Sequence, residues 1–291
     1  MHHLTRRGFS LIELMVALVL LGMISAAVYQ VLVSDQRIYQ AQTQKIDLQQ
    51  NIRAAVTILP AEFRVLNASD GDIYAMGADS IKIRAMRVFG VVCDTPILGG
   101  ALGGRGVTVR NALTFGSRAF SSATDSLLIY YEGNAGTRND DGWVSGDLIG
   151  TVAALCVPDG RPGTKLTTNL KPFLLPKQNL PGAIPLGAPV WAFEVDTYRV
   201  YQAPDGQWYL GLRPAGGAIQ PLVGPLIGAN GMTLSYFDAA GAVTAVPANV
   251  AQIEIRVRGQ TAQPIRLADG RQMNQVDSIL TRVALRNNRR W

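Results

Sequence analysis

The sequence predicts an α+β protein in which one long N-terminal helix packs on an antiparallel β-sheet body. Three observations predict it. Residues 9–33 form an almost uninterrupted apolar run. Leu48, Ile52, Val56, Leu59, Phe63 and Leu66 then recur at three- and four-residue spacings, which places them on one face of a helix. Beyond residue 70 the pattern switches to alternation of apolar and polar residues, the mark of half-buried strands.

The N-terminal run is long enough to cross a bilayer. Its 25 residues would span about 37 Å as a helix. Arg6 and Arg7 precede it and predict a cytoplasmic N-terminus with an exported body. A secretory signal would place a shorter apolar core before a small-residue cleavage site; here Arg6-Arg7-Gly8 comes first and the apolar residues follow. Glu13 is the single formal charge in the run. A charge at a helix centre in lipid costs about 3 kcal/mol, and such residues are usually functional.

Gly8-Phe9-Ser10-Leu11-Ile12-Glu13, behind the basic pair, resembles the class III signal of type IV pilins and type II secretion pseudopilins. The resemblance implies a leader over residues 1–8, cleavage after Gly8 by a prepilin peptidase, N-methylation of Phe9, and use of Glu13 in recruiting and registering subunits. It implies a single-pass inner-membrane protein with a periplasmic head, later placed in a pilus or pseudopilus. Cleavage would give Phe9 an α-amino group, largely protonated at neutral pH. Pairing that amine with Glu13 of a neighbouring subunit would neutralise both charges in an apolar filament core and fix the axial stagger. Pilins usually carry a proline where this chain has Gln30.

The helix turns amphipathic over residues 34–66, with Gln49, Gln50, Arg53, Glu62 and Arg64 between the apolar positions. Pro60 predicts a kink or a fresh start, and Asn67 to Gly71 supply stop signals. Residues 67–291 then read as a β-rich head. Ile81, Ile83 and Ala85 alternate with polar neighbours, as do Leu127, Ile129 and Tyr131, and Ile253, Ile255 and Val257. Trp191–Tyr201 and Gln207–Arg213 flank Ala203-Pro204-Asp205-Gly206 and read as a hairpin; Met232–Phe237 and Leu280–Leu285 complete the set. Seven of the 15 prolines fall in 158–189, which predicts a long irregular surface insertion serving as connector or contact loop.

Segments 122–133, 231–238 and 282–287 resemble minor pilins of the PilW type and the related J pseudopilin of type II secretion. That resemblance implies a minor pilin that initiates or caps a pilus. A pseudopilin, or a pilus-borne adhesin or DNA-uptake subunit, are the alternatives. The implied partners are the peptidase, other pilins or pseudopilins through the N-terminal helix, and the inner membrane before assembly.

Composition narrows the chemistry. The 291 residues are 48% hydrophobic and 16% charged, which excludes a disordered chain. The net charge of +6 falls to +4 without Arg6 and Arg7, that is 25 basic against 21 acidic residues, too little to predict nucleic-acid binding. His2 and His3 are the whole histidine complement and lie in the leader, so the processed chain has no imidazole for catalysis or metal binding. No enzyme and no cofactor is expected. Cys93 and Cys156 are either two buried thiols or, in an exported body, a disulfide. Asn139-Asp140-Asp141-Gly142 with Asp147 lacks EF-hand spacing and reads as a polar turn. Gly99–Gly106 lacks the Gly-Lys-Ser/Thr ending of a phosphate loop, and Arg286–Trp291 reads as a solvated basic tail.

Overall fold

The computed structural model describes residues 10–94, 105–134, 136–137, 139–170, 184–266 and 270–286. Helix α1, Leu11–Arg64, is one unbroken element of 54 residues, about 80 Å long at 1.5 Å per residue. Up to Asp47 none of its residues is buried; Leu48, Ile52, Ala55, Leu59, Pro60 and Phe63 are. The predicted stripe therefore holds with one change, since Ala55 takes the buried position and Val56 is half-buried.

Pro60 neither ends nor restarts the helix, contrary to the sequence expectation. Leu59, Pro60 and Phe63 are buried together in the last turns, and tertiary packing of this kind supplies most helix stability in proteins. The chain leaves the helix at Val65, where Leu66 is buried and the Asn67–Gly71 turn begins.

The strands are β1 Ile73–Met76, β2 Ser80–Val91, β3 Arg105–Arg110, β4 Phe115–Gly116, β5 Ser126–Tyr131, β6 Gly142–Cys156, β7 Arg161–Leu170 and β8 Pro189–Gln202. They continue with β9 Trp208–Arg213, β10 Gln220–Leu226, β11 Met232–Phe237, β12 Gln252–Gln260, β13 Ile265–Arg266, β14 Gln272–Met273 and β15 Val276–Ala284. Thirteen of these form one sheet, ordered β11-β12-β10-β9-β8-β5-β6-β7-β3, with β15 beside β12 and β2 beside β8. β13 and β14 make a separate pair.

β8 is the spine. Residues 189–199 pair with β2 on one side, while 190–193 pair with β5 and 197–202 with β9 on the other. The β8–β9 turn is the predicted hairpin: Gly206 has φ +77°, and its N–H donates to the Ala203 carbonyl at 2.9 Å. Alternation along β2 and β12 is as read, with Ile81, Ile83, Ala85, Ile253, Ile255 and Val257 buried. In β5 Leu128 is buried as well as Leu127 and Ile129, so that strand is covered on both faces.

The predicted insertion over 158–189 is corrected. β7 occupies 161–170 and is a full member of the sheet, paired with β6 and β3, with Leu166 buried. Ile184 and Ala188 are buried too. Residues 171–183 of that stretch lie outside the described residues, as do most of the glycine-rich segment and the C-terminal tail.

The single sheet carries two apolar cores. One joins Leu59, Phe63, Ile83, Tyr198, Ile255 and Val283 under α1. The other joins Val88, Val109, Leu127, Ile129, Leu166 and Val190 around β3, β5, β7 and β8. Phe63 stands edge-on to Tyr198 with ring centroids 6.1 Å apart. Phe63→Ala is expected to destabilise the head by about 3–5 kcal/mol, measured by urea unfolding of the full chain in detergent; a change below about 1 kcal/mol would show that the helix end is not a core element.

Candidate assembly site: the helix start and its clamp on the head

Ser10 and Glu13 build the first turn of α1. Ser10 Oγ accepts from the Glu13 N–H at 3.3 Å, while Glu13 Oε2 accepts from the Ser10 N–H at 3.0 Å and from its hydroxyl at 3.1 Å. This capping box satisfies two of the backbone N–H groups at the helix start. Both local bonds use Oε2, so Oε1 has no partner among the described residues. Gly8, Phe9, Arg6 and Arg7 lie outside those residues. The Ser10 N–H belongs to the Phe9–Ser10 peptide, so a cut between Gly8 and Phe9 leaves the capping box intact.

Behind this turn the helix is apolar and uncovered. Leu11, Leu14, Leu18 and Leu21 are 57–79% exposed. It is the one helix among the described residues long and apolar enough to cross a membrane, and none of its most apolar 18-residue window is buried. A stripe of this size has to be covered by lipid or by other helices.

At its far end α1 is held to the head by charge as well as packing. The pairing of β2 with β8 slips between Met86 and Val88, leaving Arg87 as the extra residue of a bulge. Bulges re-aim side chains, and Arg87 meets carboxylates from two elements. Its Nη1 donates to both oxygens of Glu62 on α1, at 3.0 and 3.2 Å. Its Nη2 donates to Asp196, and its Nε lies 3.9 Å from Glu194, both on β8. Arg118 continues the chain by donating to Glu194 and Asp125. Glu62, Arg87, Glu194, Arg118 and Asp125 thus link α1 to the ground between the two cores. Sequence reasoning singled out none of this network except Glu62; its only trace is a run of charges breaking the apolar alternation of β2 and β8.

Burial acts to lower the pKa of Arg87, but Glu62 and Asp196 override it and hold the value above the ordinary one. Asp196 is fully buried, and its Oδ1 has no hydrogen-bond partner. Burial pushes its carboxyl above the usual aspartate range, and Arg87 pulls it back only in part. Asp72 is raised for the same reason, although the Asn67 N–H and Arg84, 2.9 Å away, oppose the shift.

Cys93 and Cys156 are joined by a disulfide, with Cα atoms 5.3 Å apart, closing a separation of 63 residues. The bond ties the chain after β2 to the end of β6 and stabilises the fold by about 4 kcal/mol in the chain-entropy account. Asp140 and Asp141 do form a polar turn: they accept from Thr137 and Asn134, and from Tyr130 and Gly133. Among the described residues no group of three or more His, Cys, Asp or Glu is placed to hold a metal ion.

Residues 4–29 match the family model described as the prokaryotic N-terminal methylation motif, the class III signal of type IV pilins. The match supports a type IV pilin-like or pseudopilin protein, processed by a prepilin peptidase and anchored in the membrane. No curated protein and no solved structure matches the chain.

Removing Arg87 strands three carboxylates in the interior, so Arg87→Met is expected to cost about 3–5 kcal/mol in urea unfolding. A loss no larger than that of an exposed arginine would show that the network is ornamental. For Asp196 and Asp72 the folded pKa lies above the unfolded one, so the folded head binds those protons more tightly. Their charge penalty is full above the raised value and is relieved as pH falls through it toward about 4. Acidification from about pH 7 to about pH 5 should therefore hold or raise the Tm, and Asp196→Asn should blunt that rise. Identical profiles for the two proteins would mean that Asp196 carries its charge without penalty.

Proposed function

We propose that the chain is a minor pilin of a type IV pilus: a structural subunit, not an enzyme, that helps initiate or cap the filament. The observation that carries this reading is the pairing of an apolar, unburied helix, opened by Glu13, with a large sheet-based head. Arg6 and Arg7 hold the N-terminus on the cytoplasmic side, and the peptidase cuts after Gly8. The new Phe9 amine then meets Oε1 of Glu13 on a neighbouring subunit, while Oε2 keeps the capping box. Extracting that helix from lipid into a bundle of like helices covers its apolar face without exposing it to water. Processing leaves no histidine in the chain, consistent with a structural role.

The processed chain is expected to begin at N-methylated Phe9, read by mass spectrometry of the intact protein; any other start removes the premise. Glu13→Ala and Glu13→Gln should both insert normally and fail to enter sheared filaments. Glutamine preserves the capping geometry without the charge, so a Glu13→Gln protein that assembles would assign the role of Glu13 to the helix cap. Deleting the gene should abolish surface pili and leave secreted proteins unchanged. Intact pili with lost secretion would instead make it a pseudopilin, and no change in either would favour an adhesin or uptake subunit.

A further inference from the structure

β15 runs beside β12 through nine consecutive pairs, from Val276 opposite Gln260 to Ala284 opposite Gln252, with no register slip. Hydrogen bonds just beyond its ends fix which way its backbone points. Thr261 N–H donates to the Gln275 carbonyl at 2.9 Å, and Leu285 N–H to the Ala251 carbonyl at 2.9 Å. The odd-numbered residues of β15 are therefore the ones that bond to β12. The parity is checked on the other side of β12, where the even residue Arg258 donates to Gly231 at 2.7 Å. Val276, Ser278, Leu280, Arg282 and Ala284 consequently aim five N–H and five C=O groups away from the sheet. One of these has a local partner: the Ser278 N–H donates to the Asp277 carboxylate at 2.8 Å.

The ends of the main strand path are treated differently. The outer side of β11 is covered by the chain itself, through Leu234 N–H to Ala78 at 2.7 Å and Thr244 N–H to Tyr236 at 3.0 Å. β3 is covered by Cys93 N–H to Thr108 at 2.8 Å and by a bridge from Val92 to Val109. β15 pairs only with β12, and it has no proline, lysine or bulge to blunt it.

Its direction relative to α1 identifies the occupant. Gly259, opposite Asp277, lies so close to the helix that a Cβ there would sit 2.8 Å from Leu48 Cδ1. At the other end the Arg286 N–H donates to the Arg64 carbonyl at 2.9 Å. β15 and α1 thus run parallel, side by side. Antiparallel pairing of two β15 strands would point their helices in opposite directions, which one membrane forbids. Parallel pairing of two copies closes a two-fold dimer and leaves no edge to continue an assembly.

We infer that the β15 edge accepts an extended strand from a second, non-identical subunit carrying its own membrane-anchored N-terminal helix. The inference rests on the pilin reading and adds a partner-binding surface to it. Specificity comes from Val276 and Leu280, each about half exposed on the outer face of the strand, and affinity from the main chain.

The test places a photoreactive benzoylphenylalanine at position 278 of the full chain in its host membrane, with adducts identified by mass spectrometry. The expected adduct is another protein with an N-terminal methylation signal. Leu280→Pro removes an outward N–H that the fold does not use, a position where edge strands tolerate proline. It should keep the wild-type Tm within a few degrees and lower both the adduct and filament incorporation by at least about tenfold; Leu280→Ala should retain both. Val276→Pro, at the first residue of the strand, repeats the test if Leu280→Pro misfolds. An undiminished adduct in both proline variants, an adduct with a second copy of this chain, or no adduct overturns the inference while leaving the pilin reading intact. A wild-type chain that is uncut after Gly8 and absent from filaments overturns the reading, and the inference with it.

Discussion

Burial of the Leu48–Phe63 stripe against β10, β12 and β15 is the contact on which the rest of the molecule depends. An isolated helix is marginal in water unless something packs on it, and the first four-fifths of α1 that leaves the head is unpacked. The last turns are fixed because Leu59, Phe63 and Leu66 are fully buried in the core that also holds Ile83, Tyr198 and Ile255. Pro60, which forfeits a backbone bond, sits where tertiary contacts are densest rather than where the helix stands alone. Had it fallen near Gln30, nothing in the head could have compensated.

The ion network refines this contact. Apolar packing alone would let the helix slide by a turn along the sheet, since one leucine fills a groove much as another does. Glu62 against Arg87 removes that freedom, because a one-turn shift would strand both charges in a place that water scarcely reaches. The bulge at Arg87 is what aims its guanidinium toward the helix. Asp196 is the cost of the arrangement: it completes the arginine's shell and in return is left fully buried with one oxygen unbonded.

Legibility in the sequence followed the physics. The N-terminal segment was readable because lipid imposes a composition as well as a pattern, and Glu13 stands out against it. β2, β8, β9, β11 and β12 were readable because one face of each is buried and the other wet, which enforces alternation. β6 and β7 were not. Gly146 and Gly150 remove side chains where alternation would show, and a slip between Leu148 and Gly150 changes its phase. β7 begins Arg161-Pro162-Gly163, and its proline suggested a loop; at the end of a strand a proline breaks little. The Arg87 network was invisible because its members lie up to 134 residues apart, from Glu62 to Asp196, and only the β2–β8 pairing brings them together.

The parallel course of α1 and β15 also sets how the molecule bears a load. Pulling on the helix along its axis moves it lengthwise past the sheet, so Leu48, Ile52, Leu59, Phe63 and the Glu62–Arg87 pair resist together instead of yielding one after another. The Arg64–Arg286 bond at the far end ties the first element of the fold to the last. Such a joint is strong in shear and weak in peel, and the attachment of the helix at one flank of the head, with its free length in line with the strand, is the geometry that turns tension into shear.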